Sequence, residues 1–375
     1  MGARASGTVD VGSPTMERIP LLACILKRRR FLYLVVCALV LGGCSSKKVM
    51  RESPAQFKDI NAEYAKFVKV SDVRTASSST AATARGYKNR LKHRKYYRKH
   101  YRWVKRHYKR RKKVSMTEAS ENAVHLPTLE DSEGFIGRRP KVDPFRSGEK
   151  ITFSVTYFNI VAGDLSLKVL PYKIVNGKKA YDFTIDAESN KAFSLFYSVE
   201  DFAETFVDFE SLNPITYSID MHESAQQKET KVFFDSHKNE ATLWEKVIHR
   251  GHSHGQERKL QWAIDPYTQN VISAIFYLRT FTLSPGKKLA FRVSDNGKNY
   301  IFNGEVLRRE TLHTKAGDFK TIVVQPSFHL AGRFQPTGEN YIWLTDDDRK
   351  FPVKIECKIK IGSLIAKLKG LDKGT

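Results

Sequence analysis

From about Asp143 onward the apolar positions recur with a period of two. Ile151, Phe153, Val155 and Tyr157 alternate with Thr152, Ser154 and Thr156. Tyr181, Phe183, Ile185 and Ala187 alternate with Asp182, Thr184 and Asp186. Ile215, Tyr217, Ile219 and Met221 do the same with Thr216, Ser218 and Asp220. Near the end, Val353, Ile355, Cys357, Ile359 and Ile361 alternate with Lys354, Glu356, Lys358 and Lys360. Successive side chains of a strand point to opposite faces, so this pattern predicts antiparallel strands with one buried face. Asn176-Gly177, Pro285-Gly286, Asn296-Gly297 and Asn303-Gly304 supply turns between them. The fold class that follows for 143–370 is mainly β: one antiparallel curved sheet or open barrel. A single capping helix is predicted inside it. Asp265 is a good N-cap and Pro266 a good first residue; Val271, Ile272, Ile275 and Phe276 give it an apolar face. Arg279 sits where a helix C-terminus favours a cation.

The pattern before Asp143 differs. Residues 44–142 read as a partly disordered tether. Ser53, Pro54 and Gln56 start a short helix over 54–68, with Phe57, Ile60, Tyr64 and Phe67 in one stripe. Ser71 to Ala84 is rich in Ser, Ala and Thr and reads as flexible.

Charge divides the chain at the same place. The net charge is +24, yet residues 131–375 hold 35 basic against 31 acidic side chains. The first 130 residues hold 29 against 9. The excess is concentrated in 85–113, which has 16 Lys or Arg and no acid. There a seven-residue repeat begins at His93, His100 and His107. On a helix, Tyr97, Tyr101 and Tyr108 share a face suited to a membrane interface. Arg94, Lys95, Arg98, Lys99, Arg102, Lys105, Arg106, Lys109 and Arg110 cover the rest and are the candidate anion-binding residues. Thr117 to Glu133 carries five acids and no Lys or Arg, so neutralisation within the chain is the competing reading.

A basic run, Lys27 to Arg30, precedes eleven uncharged residues, Phe31 to Leu41, and then Leu41-Gly42-Gly43-Cys44. This describes a signal peptide over 1–43, too short to span a bilayer. Residues 1–26 are atypical for such a signal, and Met16 is the better expected start. The tetrapeptide resembles the bacterial lipobox. That resemblance implies lipidation of Cys44 with palmitate-like acyl chains and cleavage before it. Ser45 after the cysteine then implies the outer membrane, with the chain facing the periplasm. Export sets aside nucleic acid, the usual partner of so basic a stretch. Lipopolysaccharide and peptidoglycan remain as the anionic partners. With Cys24 and Cys37 removed by cleavage, the mature chain keeps Cys44 and Cys357 and forms no internal disulfide.

Catalytic and metal signatures are weak. Gly251-His252-Ser253-His254-Gly255 matches G-x-S-x-G, but its flanks read as two strands around a polar turn, not strand and helix. His249, His252 and His254 lack a nearby cysteine, and no metal or cofactor is expected. Asp346-Asp347-Asp348 and the run Glu204, Asp208, Glu210 read as charged turns or solvated faces. Cys357 falls on an apolar face as an inert thiol. No catalytic residue is assigned, and the chain is expected not to be an enzyme.

Several blocks resemble one family. Gly148-Glu149, Ala162-Gly163, Asp208 with Pro214, and the run Asn270 to Arg279 are similar to the exported bacterial family DUF3108. So are Ile342-Trp343-Leu344-Thr345-Asp346-Asp347, Pro352-Val353 and Ile361-Gly362-Ser363-Leu364. The similarity covers roughly 143–370. Asn270 departs from the acidic residue expected there. The resemblance implies an extracytoplasmic β domain, an open barrel like the periplasmic lipoprotein carriers, and no assigned activity. Two functions follow. One is non-enzymatic binding of an apolar or lipidic ligand, or of an envelope partner, by the β domain. The other is a structural envelope role in which the basic segment grips lipopolysaccharide or peptidoglycan.

Overall fold

The computed structural model describes residues 51–53, 59–73, 130–251, 255–330, 333–335, 339–358 and 362–375. The signal peptide, Cys44, the basic segment 85–113 and the loop His252 to His254 lie outside them. The strands begin with β1 (Arg51–Ser53), β2 (Val70–Asp72), β3 (Phe135–Ile136), β4 (Arg139–Pro140), β5 (Glu149–Tyr157) and β6 (Ile160–Val175). Next come β7 (Lys178–Ser189), β8 (Val199–Asp208), β9 (Pro214–Glu223), β10 (Gln226–Asp235), β11 (Glu240–His249) and β12 (Gln256–Ala263). The last are β13 (Lys288–Asp295), β14 (Lys298–Thr314), β15 (Gly317–Leu330), β16 (Arg333–Gln335), β17 (Asn340–Thr345), β18 (Pro352–Lys358) and β19 (Ser363–Lys373).

All but β3 and β4 join one sheet. From β12 the ladders run back through β11, β10, β9, β8, β7 and β6 to β5, each pair antiparallel. From β5 they continue through β19, β18, β17, β15 and β14 to β13. The ends of this run, β12 and β13, share no ladder. Side chains span the seam instead. Trp262 Nε1 donates to Ser294 Oγ at 2.8 Å, and Asn299 Nδ2 to the Ala263 carbonyl at 2.9 Å. One isolated bridge joins Gln269 to Val293. The predicted curved, unclosed antiparallel sheet is what forms.

The concave side is filled by the chain itself. Alternate residues of each strand point inward, among them Ile151, Phe153, Phe183, Ile185, Leu243, Phe291, Phe302 and Val353, all buried. The inner helix runs over Ser273–Leu278, seven residues later than a first residue at Pro266 predicts. Tyr267, at φ +60°, lies in the left-handed region, which no right-handed helix can traverse. Just before it, Asn270 Oδ1 accepts from the backbone of Ile272 (2.9 Å) and Ser273 (2.7 Å) and closes the turn that leads into the helix. Phe276 stacks on Phe183 at 4.2 Å and meets Phe145 edge-on. A second aromatic run passes from Tyr277 through Phe281, Phe291 and Phe302 to Phe328.

The stretch expected as tether enters the sheet before that. β1 pairs with the β12 edge and β2 with the end of β6. Between them lies a helix of five residues, Ile60–Tyr64, shorter than the 54–68 read from sequence. Asp59 Oδ1 caps it through the Asn61 amide at 2.8 Å. Its stripe packs on the convex face. Tyr64 and Phe67 lie against Trp244, Phe67 lies against Phe233, and Ile60 is buried with them. Alternation points Trp244 and Phe233 away from the core, which is why the strap has an apolar floor to sit on. A third helix, Lys191–Ser194, caps the β7–β8 connection. Phe276→Ala should lower unfolding free energy by about 3–5 kcal/mol in a denaturant titration, because it empties a stacked aromatic site.

Candidate functional site

The charge of interest from the sequence, Arg279, follows directly on the inner helix. It is 1% exposed, as is Glu149 at the start of β5. The guanidinium forks onto that carboxylate, Nη1 to Oε1 at 2.6 Å and Nη2 to Oε2 at 3.1 Å. Arg279 also donates to the carbonyls of Arg349 and Pro144. Arg349 reaches Glu149 Oε2 at 2.8 Å and the Lys373 carbonyl at 2.8 Å. Phe145 and Phe351 lie 5.0 and 5.3 Å from the Arg279 carbon. One carboxylate thus ties together the helix, β5, the β17–β18 turn and the C-terminal strand. Both ions are paired and hydrogen-bonded, the condition for a charge to persist in an apolar core. Glu149 is a staple between these elements.

A second buried group lies along the same helix. Arg138 pairs with Glu130 and donates to the Tyr277 hydroxyl at 2.9 Å. Burial, with Glu130 beside it, pushes the Tyr277 phenol up. Nearer the surface, Arg139 reaches Asp143 at 2.8 Å and Tyr181 at 2.9 Å and lies 3.9 Å above Phe209. Residues 130–143 are therefore bolted to the concave side by arginines. At the other end of that side, the inward positions of β10–β12 are charged. Lys228 pairs with Glu245, which also takes Arg258 at 2.9 Å. Arg258 crosses the seam to Asn296 Oδ1 at 2.7 Å. These ions also satisfy one another.

The convex face holds a different case. Asp182, on β7, is 1% exposed; no N–H or hydroxyl among the described residues donates to its two oxygens, and its side-chain partner is the Glu204 carboxyl. The hydroxyl of Thr184, two residues on and also buried, has no hydrogen-bond partner among them. Glu204 lies opposite Thr184 in the β7–β8 register. Burial and the neighbouring Glu204 charge raise the Asp182 carboxyl to about 7, against Lys173, which lowers it. Glu204 is raised by burial too. Two carboxyls this close share a proton more cheaply than they carry two charges. The strap runs beside them. Val68 packs with Ala180 and Phe206, the near neighbour along β7 and the register partner of Asp182. Tyr64 bonds Thr216 at 2.6 Å, and Asp72 bonds Lys173 at 2.7 Å.

Two of the acidic candidates close turns. Asp347 Oδ1 accepts from Thr345 Oγ1 and from the amides of Arg349 and Lys350, closing the β17–β18 turn. Asp208 Oδ1 does the same for Glu210 and Ser211. Cys357 is buried, its thiol pushed up to about 12 by desolvation. No group of three or more metal-binding side chains occurs among the described residues. No helix among them is long and apolar enough to cross a membrane. Cys44, the nine anion-binding candidates from Arg94 to Arg110, and Tyr97, Tyr101 and Tyr108 lie outside the described residues. Sequence reasoning missed Glu149 as the partner of Arg279, since their separation of 130 positions leaves no spacing signal. It missed Asp182 because an acid at an alternating polar position reads as solvated.

A pH dependence follows. The folded Asp182 keeps its proton up to about pH 7, while the unfolded side chain loses it near 3.8. The folded state therefore binds more protons across that window, and stability falls as pH rises from about 4 to 7. Asp182→Asn should flatten this slope. In denaturant titrations it should match the wild type near pH 4 and exceed it by about 1–3 kcal/mol at pH 8.

No curated protein matches the sequence. Three solved structures share a limited likeness. A β-barrel-like DUF1849 protein of Brucella abortus is 9% identical, covering 60% of this chain and 96% of its own, with a TM-score of 0.39. A candidate exported protein of Bacteroides fragilis with a YmcC-like fold is 11% identical over 62% of this chain and 98% of its own, TM-score 0.28. A candidate lipoprotein of Parabacteroides distasonis is 10% identical over 62% of this chain and 99% of its own, TM-score 0.25. The family comparison is the informative one. The model of DUF3108, a protein family of unknown function, matches residues 152–369, more than half of the sequence and the span that carries the curved sheet. The chain belongs to the DUF3108 family.

Proposed function

We propose that this chain is a lipid-anchored envelope protein without enzymatic activity, whose β domain is a solid scaffold that presents a basic segment to an anionic envelope polymer. The observation that carries this is the filled concave face. Its apolar half is packed with the protein's own aromatic rings, and its buried charges are paired with one another. Ligand-carrying sheets are concave and largely preformed around a vacancy; here the same surface is spent on the inner helix and residues 130–148.

The path of the chain supports the second half. Val73, which follows β2 on β6, and Glu130, which is held by Arg138, flank residues 74–129, and both flanks are fixed to the β domain. We therefore read the basic segment 85–113 as a stretch between two fixed points of the domain rather than as the link between anchor and domain. The lipobox-like Cys44, the signal before it and Ser45 after it support attachment to the outer membrane, facing the periplasm. Lipopolysaccharide phosphates and peptidoglycan carboxylates are the anions available there.

Two results test this reading. Cys44→Ser should abolish incorporation of labelled fatty acid and release the protein from membranes, since acyl chains hold more strongly than a basic patch. The released chain should still bind purified peptidoglycan or lipopolysaccharide at low salt. It should let go steeply as the Debye length shrinks towards about 8 Å. Replacing Arg94, Lys95, Arg98 and Lys99 by Gln should weaken that binding roughly tenfold or more, at about 1 kcal/mol for each contacting cation. Salt-independent binding, or none, would return the segment to the status of a loop neutralised by its own acidic flank.

A further inference from the structure

We infer that the strap, residues 59–73, is a pH-operated latch: it closes beside the Asp182–Glu204 pair while that pair holds a proton, and lifts from the convex face when both carboxyls ionise. The strap brackets the pair. At one end the Tyr64 hydroxyl bonds Thr216 at 2.6 Å and lies close enough to Glu204 to feel its charge. At the other end Asp72 takes Lys173 at 2.7 Å, the same cation that faces both carboxyls of the pair. Between them Val68, 6% exposed, seats against Val175, Ala180 and Phe206. Phe206 is the register partner of Asp182, and Ala180 its near neighbour along β7.

Chemistry sets the two states against each other. Asp182 and Glu204 bond to each other, and two carboxylates have no hydrogen between them to share, so that contact needs one proton. Once both are ionised, the pair needs water or the whole of Lys173. The closed strap keeps water out and holds Lys173 on Asp72; lifting it supplies both. The closed state therefore binds the proton more tightly, and closure weakens as pH rises towards the Asp182 value of about 7. Little else holds the strap. Phe67, Val70 and Val73 stay 41%, 46% and 42% exposed, and β2 offers three ladder residues. Asn176 grips the Phe67 and Lys69 carbonyls at 2.9 Å, contacts that do not titrate. Val73 leads into residues 74–129, so lifting the strap frees one of the two flanks of that stretch.

The other charges around the pair keep their state across this window. On β6, Lys168 is taken by Asp186 of β7 at 2.8 Å. On β9, Asp220 adds a further acid near Glu204, and on β10 Lys231 attracts Glu204 while pairing with Glu229 at 3.6 Å. On the strap, the Tyr64 phenol is pushed up to about 12 by burial, and Lys173 holds Asp72 below the usual carboxylate range. Residues 59–73 contain no histidine. On β9 the histidine is His222, four residues beyond Ser218, the register partner of Glu204, and so roughly 13 Å further along the strand.

Amide hydrogen exchange on the mature chain carrying Cys44→Ser tests this, with rates corrected for the intrinsic effect of pH. The reporters are the strap amides of Ala65, Val68 and Lys69, bonded to the Asn61 and Tyr64 carbonyls and to Asn176 Oδ1, with β5 and β18 as the core reference. Strap amides should exchange faster than the core amides at every pH, because the strap opens without the domain. Their protection should fall roughly tenfold or more between about pH 5 and about pH 8. Asp182→Asn and, separately, Glu204→Gln should abolish that fall, and His222→Gln should leave it intact. Asp72→Asn should lower strap protection at about pH 5 and shrink the further fall, since Lys173 then serves the pair alone. Strap protection that is the same at both pH values would overturn the proposal. So would a fall that survives both carboxyl substitutions, or strap amides that exchange only at the core rate.

Discussion

A buried guanidinium cannot persist without a carboxylate, and the meeting of Arg279 with Glu149 is the contact on which this architecture depends. The sheet is open, so its two halves are held by what lies inside the curve. Arg279 ends the inner helix, Glu149 begins β5, and Arg349 brings the β17–β18 turn and the last strand to the same carboxylate. Removing either member would strand a charge in the core, which typically costs about 3–5 kcal/mol. The aromatic rings that flank the pair are the ones that fill the concave face. The staple and the packing are therefore one device: the ions fix where the helix sits, and the helix makes the interior solid. That solidity is what turns the functional reading from carriage towards scaffolding.

The convex face obeys a looser rule. Its strap is held by apolar contacts to Trp244 and Phe233 and by polar contacts at Thr216 and Lys173. Beside it, burial raises both Asp182 and Glu204, and the Glu204 charge raises Asp182 further. An acid pair of this kind lowers stability at neutral pH. The domain thus has a packed inside and a pH-responsive outside.

Much of this was legible in the sequence, and the limits have physical causes. Period-two alternation identified strands such as Glu149–Tyr157 and Lys178–Ser189, because a half-buried strand has no other way to sort its side chains. The helical stripe of Ile60, Tyr64 and Phe67 was legible as a stripe, but not its partner. That partner includes Trp244, at a position which alternation assigns to solvent. The start of the inner helix was misplaced because Asp265 and Pro266 make good local caps, while Tyr267 and the bridge from Gln269 to β13 decide against them from a distance. Arg279 was recognisable as a charge in an apolar setting; Glu149 was not recognisable as its partner, because only the closed fold brings them together.

The central claim is that the curved sheet is filled by its own chain and carries no cargo. Native mass spectrometry of the protein extracted gently from membranes measures this most directly. The account predicts one species, the mature polypeptide with its covalent anchor and nothing else. A stoichiometric, non-covalently retained lipid, released only when the domain unfolds, would contradict it.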